Sequence, residues 1–402
     1  MGARPGTDRK RVLLAYECVS GLGHLTRLAD VARRLKRHGI ESILASFRLD
    51  DADRFADSFD RVVQAPVWPM HFAQERSIPA NTGPSFATAL ANMGFREARY
   101  IAANQRAWGA MFDDWKPDVV IADFAPGAIL AAKGRCPSLQ IGGPFSTPAL
   151  DQDLFPPFMS DQSVDGVLEQ EILSAIEIAA RQLGRPVPEG LHDAVIADES
   201  LPMGFAEFDP YLHCRHEPLL SPDMVSPRQL QRGSGDTVFA YLPEWMQHND
   251  VLMATLCALK TPVRLFVPNL DEKLAHDLRS RNVVSVAEPF SVEEIAHSAV
   301  AFLHHGGLGA CQIGLIAGAP QIALEADREK MVNGRAITSF NVGQSLNYHR
   351  LTLPKLRDAI WHAVEDAPLQ QRAAAVASEV KARLTGPHPH DIVVERVLHL
   401  AA

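Results

Sequence analysis

The sequence predicts an α/β protein built from two doubly wound, parallel-sheet halves, and three observations carry that expectation. At 402 residues the chain exceeds the roughly 250–300 residues at which single cores stop growing. Near the start, an apolar run (11–16), a helical pattern and a second apolar run (40–47) make one strand–helix–strand unit. From Thr237 onward, short runs rich in Val, Phe and Leu alternate again with helical patterns. Hydrophobic content of 47% and charged content of 22% suit a soluble globular chain. A net charge of −9 argues against nucleic acid as the main partner.

In the first half, Arg11 to Tyr16 reads as a buried strand. The helix after it places Leu25, Leu28, Ala29, Ala32 and Leu35 on one face. Arg27, Arg33, Arg34, Lys36 and Arg37 fall largely on the other faces and read as a solvated surface. Gly39 stops that helix. Gly21-x-Gly23 has Thr26 where a dinucleotide fingerprint needs its third glycine, so no nicotinamide or flavin cofactor is expected. Residues 62–100 carry Pro66, Trp68, Phe72, Pro79 and Phe86 with little periodicity, as a functional loop would. A helix over 100–115 follows, then a buried strand ending in Asp123, a helix over 127–133 and a strand over 139–142. Phe145, Phe155 and Phe158 make a second aromatic loop before a helix over 167–183.

The Pro-, Ser- and Gly-rich stretch 209–236 marks the linker, giving domains of 1–225 and 226–402, each Rossmann-like. The second half has strands at 237–242, 263–267, 283–286 and 300–303, with Ser291-x-x-Glu294 as a capping box. After the last of these strands comes His304-His305-Gly306-Gly307-Leu308-Gly309-Ala310-Cys311, opening a helix over 308–317. A short strand (321–324) and a helix from about Glu329 complete the pattern. A glycine turn entering a helix presents unpaired amides at the positive end of the helix dipole, a geometry that suits a phosphate or diphosphate.

No apolar run approaches the roughly 20 residues of a membrane span. The first ten residues are charged and lack the apolar segment of a signal peptide. Five scattered cysteines suit reduced thiols, so a cytoplasmic location is expected. His213-Cys-Arg-His216 and His388-Pro-His390 lie in loop-like segments and read as surface polarity, so no metal site is expected.

His-His-Gly-Gly at 304–307, Gly318-Ala-Pro320 and Asn333 at the end of an acidic loop together resemble the nucleotide-sugar signature of GT-B glycosyltransferases. The likeness is to the bacterial natural-product, UDP-glycosyltransferase-like branch. It implies two Rossmann-like domains across a cleft, acceptor-binding first and donor-binding second, with the last helix (392–400) packing back on the first. It implies an inverting, metal-independent transfer of a sugar from a dTDP- or UDP-linked donor to a hydroxyl of a small acceptor, without a cofactor.

On this resemblance His24 is the base that deprotonates the acceptor, and Asp123 the acid that orients its imidazole. His305, Gly307, Gly309, Ala310 and Cys311 fall on the diphosphate-binding turn, Pro289 and Phe290 on the nucleobase border, and Glu329 and Lys330 on the sugar-gripping pair. Trp68, Phe86 and Phe145 suit either an apolar or aromatic acceptor face or the core. Four positions depart from the pattern: Arg27 stands for a proline, Ala310 for Thr or Ser, Ile313 for a ribose-binding Glu, and Lys330 for Gln. Those departures leave open a nucleotide-sugar hydrolase or epimerase of the same fold, or a non-catalytic partner of a glycosyltransferase.

Overall fold

The computed structural model describes residues 9–17, 22–69, 83–164, 166–224, 230 and 232–402. Cys18, Gly21, Phe72, Pro79 and the segment before residue 9 lie outside them. The chain forms two compact units, 1–223 together with 386–402, and 224–385. The boundary thus falls at 223/224 rather than 225/226, and the last helix belongs with the first unit.

In the first unit six strands pair in parallel: β1 (Arg11–Tyr16), β2 (Glu41–Ser46), β3 (Arg61–Gln64), β4 (Val119–Ala122), β5 (Ser138–Gly142) and β6 (Glu199–Pro202). Their order across the sheet is β3-β2-β1-β4-β5-β6. The helices are α1 (Leu22–Arg37), α2 (Leu49–Ala52), α3 (Phe86–Leu90), α4 (Ala98–Trp115), α5 (Pro126–Ala132), α6 (Val167–Gln182) and α7 (Leu191–Val195). The central strands are continuous apolar runs because helices cover both faces of a parallel sheet. All four residues of β4 are buried. The edge strands β3 and β6 are half exposed and carry polar residues, so they show no apolar run to read. β3 also lies inside the stretch expected to be irregular. The helical turn over Ala91–Phe95 is broken by Gly94 at φ +122°, a left-handed conformation that glycine tolerates.

The second unit repeats the plan with β7 (Thr237–Tyr241), β8 (Val263–Phe266), β9 (Val283–Val286), β10 (Ala299–His304), β11 (Gln321–Glu325) and β12 (Gly343–Asn347). These strands are also parallel, in the order β12-β11-β10-β7-β8-β9. Its helices are α8 (Asp250–Ala258), α9 (Glu272–Arg279), α10 (Val292–Ser298), α11 (Leu308–Ala317), α12 (Arg328–Ser339), α13 (Leu353–Glu365) and α14 (Ala367–Arg383). The capping box of α10 forms, with Ser291 and Glu294 each accepting the other's backbone N–H. Counted within each unit, both sheets follow the Rossmann order 3-2-1-4-5-6.

The final helix, α15 (Pro389–Leu400), completes the first unit. Its Val393, Val394 and Val397 lie in one core with Leu25, Leu28 and Leu35 of α1 and Val12 and Leu14 of β1. Among the described residues no helix is long and apolar enough to cross a membrane.

Each of those three valines is at most 3% exposed, and burying such a side chain stabilises by about 1.5–3 kcal/mol. Deleting residues 386–402 therefore removes a large part of a typical total of about 5–15 kcal/mol. The truncated chain is expected to lose the first unit's thermal transition in calorimetry. A transition at the full-length midpoint would contradict this placement of α15.

Candidate functional site

In each sheet the strand order reverses between the first and fourth strands, where helices depart to opposite faces and leave the carboxyl ends of the strands open. In the first unit those strands are β1 and β4. His24 lies in the first turn of α1, just after β1, and Asp123 is the first residue past β4. His24 Nδ1 is 2.8 Å from Asp123 Oδ1. The imidazole stacks on Tyr16 with ring centroids 4.8 Å apart.

Asp123 is held from three sides. It is fully buried. The next residue, Phe124, turns the chain through a left-handed conformation at φ +50°, costly for a bulky side chain and tolerated where the surroundings enforce it. At Gly142, with φ +139°, a Cβ would lie 2.8 Å from Asp123 Oδ1. Burial alone would raise the pKa of Asp123, but the charges of His24 and Arg27 and their hydrogen bonds outweigh it, so the carboxyl titrates below its usual range. An ionised carboxylate only accepts, so His24 donates from Nδ1, which in the neutral ring leaves the lone pair on Nε2.

Arg27 corrects the sequence reading. Its side chain is only 10% exposed and belongs to the interior. Nη1 donates to Asp123 Oδ2 at 2.7 Å, and Nε donates to Asp223 Oδ2 at 2.6 Å. His390, expected on the surface, is likewise buried. Its Nδ1 lies 2.6 Å from Asp30 Oδ2, and its Nε2 lies 3.6 Å from Asp223 Oδ2. Asp30, His388 and His390 bring metal-ligand-type atoms within 4.8 Å of one another. Arg34 and His390 pair with Asp30, an ion-pair brace between α1 and α15. Arg27 lies three residues after His24, a spacing that puts both on one helix face. That spacing was the available signal.

Glu17, one residue past β1, also escaped the sequence reading. Its carboxyl is buried and accepts from Trp108 Nε1 at 2.8 Å and from the Gly127 N–H at 2.7 Å. Burial pushes its pKa up to about 7 despite these bonds.

In the second unit the reversal lies between β7 and β10. The two histidines ending β10 have separate jobs. His304 is buried; its Nδ1 accepts from the Gly306 N–H at 3.1 Å and its Nε2 contacts Gln321 Oε1 at 2.9 Å. Gly306 turns at φ +77°, and its carbonyl accepts from Asn333 Nδ2 at 2.9 Å. His305 is half-buried and leans over the bend: a Cβ on Gly307 would lie 2.5 Å from its Nε2. Burial, then the Lys330 charge, lowers the pKa of His305 to about 3, and burial lowers His304 to about 4. Both rings are neutral near pH 7.

Helix α11 begins behind this bend with Gly307 as N-cap and no side chain capping it. The first amides, through Ala310, therefore have no partner within the helix. Cys311 differs from the expectation, because its N–H already donates to the Gly307 carbonyl at 3.0 Å. Glu329 and Lys330 sit in the first turn of α12 and pair with each other, Lys330 Nζ donating to Glu329 Oε2 at 2.6 Å.

Several expected ligand contacts are instead packing. Phe290 is 6% exposed and meets Phe239 edge-on at 4.7 Å. The Arg264 guanidinium covers both rings, at 5.2 Å and 5.4 Å. Phe290 thus offers no open face for stacking, whereas Pro289 is exposed. Trp68, Phe86 and Phe145 are also buried. Trp68 stacks on Phe95 at 4.3 Å, Phe86 packs against Phe155 at 5.2 Å and Phe145 stacks on Phe158 at 4.3 Å. Large rings gain most from burial, and these bury one another rather than forming an acceptor face.

Two outcomes follow. Gly142→Ala is expected to displace Asp123 and lower the first unit's thermal midpoint, read by calorimetry; an unchanged midpoint would contradict the close approach. For Glu17, between pH 4.5 and about 7 the folded form keeps a proton that the unfolded chain releases. This group's contribution therefore falls as pH rises through that window, by about 3 kcal/mol, and is level above it. Melts at pH values spanning the window should show Glu17→Gln flattening this part of the wild-type dependence.

Comparison with known proteins agrees with the geometry. Residues 252–400 match the family described as erythromycin biosynthesis protein CIII-like, C-terminal domain. No curated protein matches the sequence. Among solved structures, CalG4, the calicheamicin glycosyltransferase, superposes with a TM-score of 0.70 at 17% identity over 98% of each chain. The glycotransferase of kitacinnamycin gives 0.68 at 15% identity, covering 98% of this chain and 100% of that one. Glycosyltransferase VinC in complex with dTDP gives 0.66 at 16% identity, covering 97% and 99%. The chain has the GT-B fold that these enzymes share, and its C-terminal segment resembles those of bacterial natural-product glycosyltransferases.

Proposed function

We propose that this protein is an inverting glycosyltransferase that moves a sugar from a nucleoside-diphosphate donor to a hydroxyl of a small acceptor. The observation that carries the reading is the 2.8 Å contact between His24 Nδ1 and the buried Asp123 carboxylate. It leaves Nε2 as a base of the right kind for an acceptor hydroxyl. His24 takes the hydroxyl proton, the freed oxygen bonds to C1 of the sugar, and the bond from C1 to the diphosphate oxygen breaks with inversion. Asp123 steadies the imidazolium that forms.

The bend over 305–310 is the proposed diphosphate seat. Its uncapped amides and the neutral His305 ring meet the charge of the leaving group as hydrogen-bond donors, the basis for the proposed metal independence. Ile313, half-buried against the core that holds Phe290, has no atom to bond a ribose hydroxyl. This favours a thymidine-type donor, in line with the dTDP bound to VinC. Glu329 and Lys330 are the proposed sugar contacts and Pro289 the proposed nucleobase border. With Trp68, Phe86 and Phe145 buried, the acceptor's chemical class rests on the likeness to natural-product enzymes alone.

The test incubates dTDP- and UDP-sugars with a panel of hydroxylated apolar aglycones and reads products by mass spectrometry, with donor alone as control. Glycosylated product is expected, and His24→Ala should lower kcat on the order of 10²–10⁴-fold while dTDP affinity stays unchanged in calorimetric titration. Sugar release without an acceptor would favour a hydrolase, and unchanged activity in His24→Ala would remove the base from this role.

A further inference from the structure

We propose that Arg27 and Asp223 are positioning residues for the His24–Asp123 pair, an inference that rests on reading His24 as the base. Asp123 has two oxygens with separate partners: Oδ1 lies 2.8 Å from His24 Nδ1 and Oδ2 lies 2.7 Å from Arg27 Nη1. A carboxylate tied at one oxygen can swivel about its Cβ–Cγ bond and carry its partner with it. Tied at both, it fixes the plane in which the imidazole must lie.

Arg27 is itself immobilised. Its guanidinium is planar and rigid, and a second edge is gripped by Asp223 through Nε at 2.6 Å. Asp223 in turn lies 3.6 Å from His390 Nε2, whose Nδ1 reaches Asp30 of α1. The first unit therefore carries a hydrogen-bonded run from Asp223 through Arg27 and Asp123 to the imidazole of His24, with His390 of α15 at ion-pair distance behind it.

Energetics favour orientation as the purpose. Taking charges out of water costs several kcal/mol per ion, and buried pairs are often no more stabilising than apolar residues of the same shape. Here the Arg27, Asp123 and Asp223 side chains are 10%, 0% and 18% exposed. A guanidinium so enclosed, with edges committed to two carboxylates, is placed to hold Asp123 rather than to meet substrate. A misplacement of about 1 Å costs on the order of 10² in rate, so a small swivel of Asp123 would be felt in catalysis.

The experiment compares Arg27→Lys, Asp223→Asn, their double variant and His24→Ala in the full-length chain. Arg27→Lys keeps the charge but cannot bridge both carboxylates; Asp223→Asn keeps the shape and weakens the grip on Nε. Expected is a fall in kcat of about 10–100-fold for Arg27→Lys and a smaller fall for Asp223→Asn, with KM for donor and acceptor within about twofold. The double variant should be no worse than Arg27→Lys alone, because the two act as one unit. A readout independent of turnover is the downfield proton signal of the His24 Nδ1–H, assigned by its absence in His24→Ala. It should broaden or vanish in both single variants.

Wild-type kcat in both single variants, with His24→Ala inactive, would overturn the proposal, as would a rise in KM at unchanged kcat, which would make Arg27 a substrate contact. If His24→Ala is as active as wild type, the reading of the base fails, and the proton signal alone decides the positioning: persistence overturns it, loss sustains it. Should Arg27→Lys fail to fold, Asp223→Asn carries the same decision, since Asp223 does not touch His24.

Discussion

The reversal of strand order in each sheet is the constraint on which the rest depends. Parallel strands joined by right-handed crossovers place successive helices on one face until the chain turns back and fills the other side. At that one position two neighbouring strands send their helices away from each other, and the carboxyl ends between them stay uncovered. β1 and β4 meet there in the first unit, β7 and β10 in the second. His24 and Asp123 follow the first pair; His304 ends β10 of the second, and His305 and the glycine bend follow it. The groups with chemistry to offer thus stand where the topology leaves an opening.

The two openings handle charge in opposite ways. The first is ionic: Asp123 and Asp223 sit largely out of water on either side of Arg27, while Asp30 pairs with Arg34 and with His390, which also faces Asp223. The second relies on dipoles. Two neutral imidazoles, an Asn333 amide on the Gly306 carbonyl and an uncapped helix start shape it, and its nearest ammonium, on Lys330, is paired with Glu329. Fixed dipoles suit a group that brings its own negative charge, whereas a base that must gain and lose a proton is steadied by a carboxylate that cannot turn.

Most of this was legible because apolar runs and glycines are strong local signals. β1, β9 and α11 fall on the residues that periodicity gives them, and the edge strands β3, β6 and β12 escape because polar, half-exposed strands have no such run. His24, Asp123 and the 305–310 bend were expected from motif order, and they stand at the strand ends beside the two reversals. What stayed hidden depends on partners far away in the chain. Nothing local marks Asp223 as the counter-ion of Arg27, or His390 as the counter-ion of Asp30, and a cluster of arginines on an amphipathic helix reads as solvated surface until its partners are known. The aromatics Trp68, Phe86, Phe145 and Phe290 stayed open between ligand contact and core for a related reason. Composition shows that a ring is present, but only packing shows whether another ring already covers it.

The placement of α15 makes the first unit discontinuous, with residues 224–385 inserted into it. During synthesis the inserted unit is made before the first one can be completed, because Val393, Val394 and Val397 follow it in the chain. The amino-terminal sheet must then wait, its α1 face uncovered, until α15 has been made. Exchanging whole lobes between relatives of this architecture consequently calls for two cuts, one on each side of the insert, with the tail kept beside the amino-terminal half it evolved to cover.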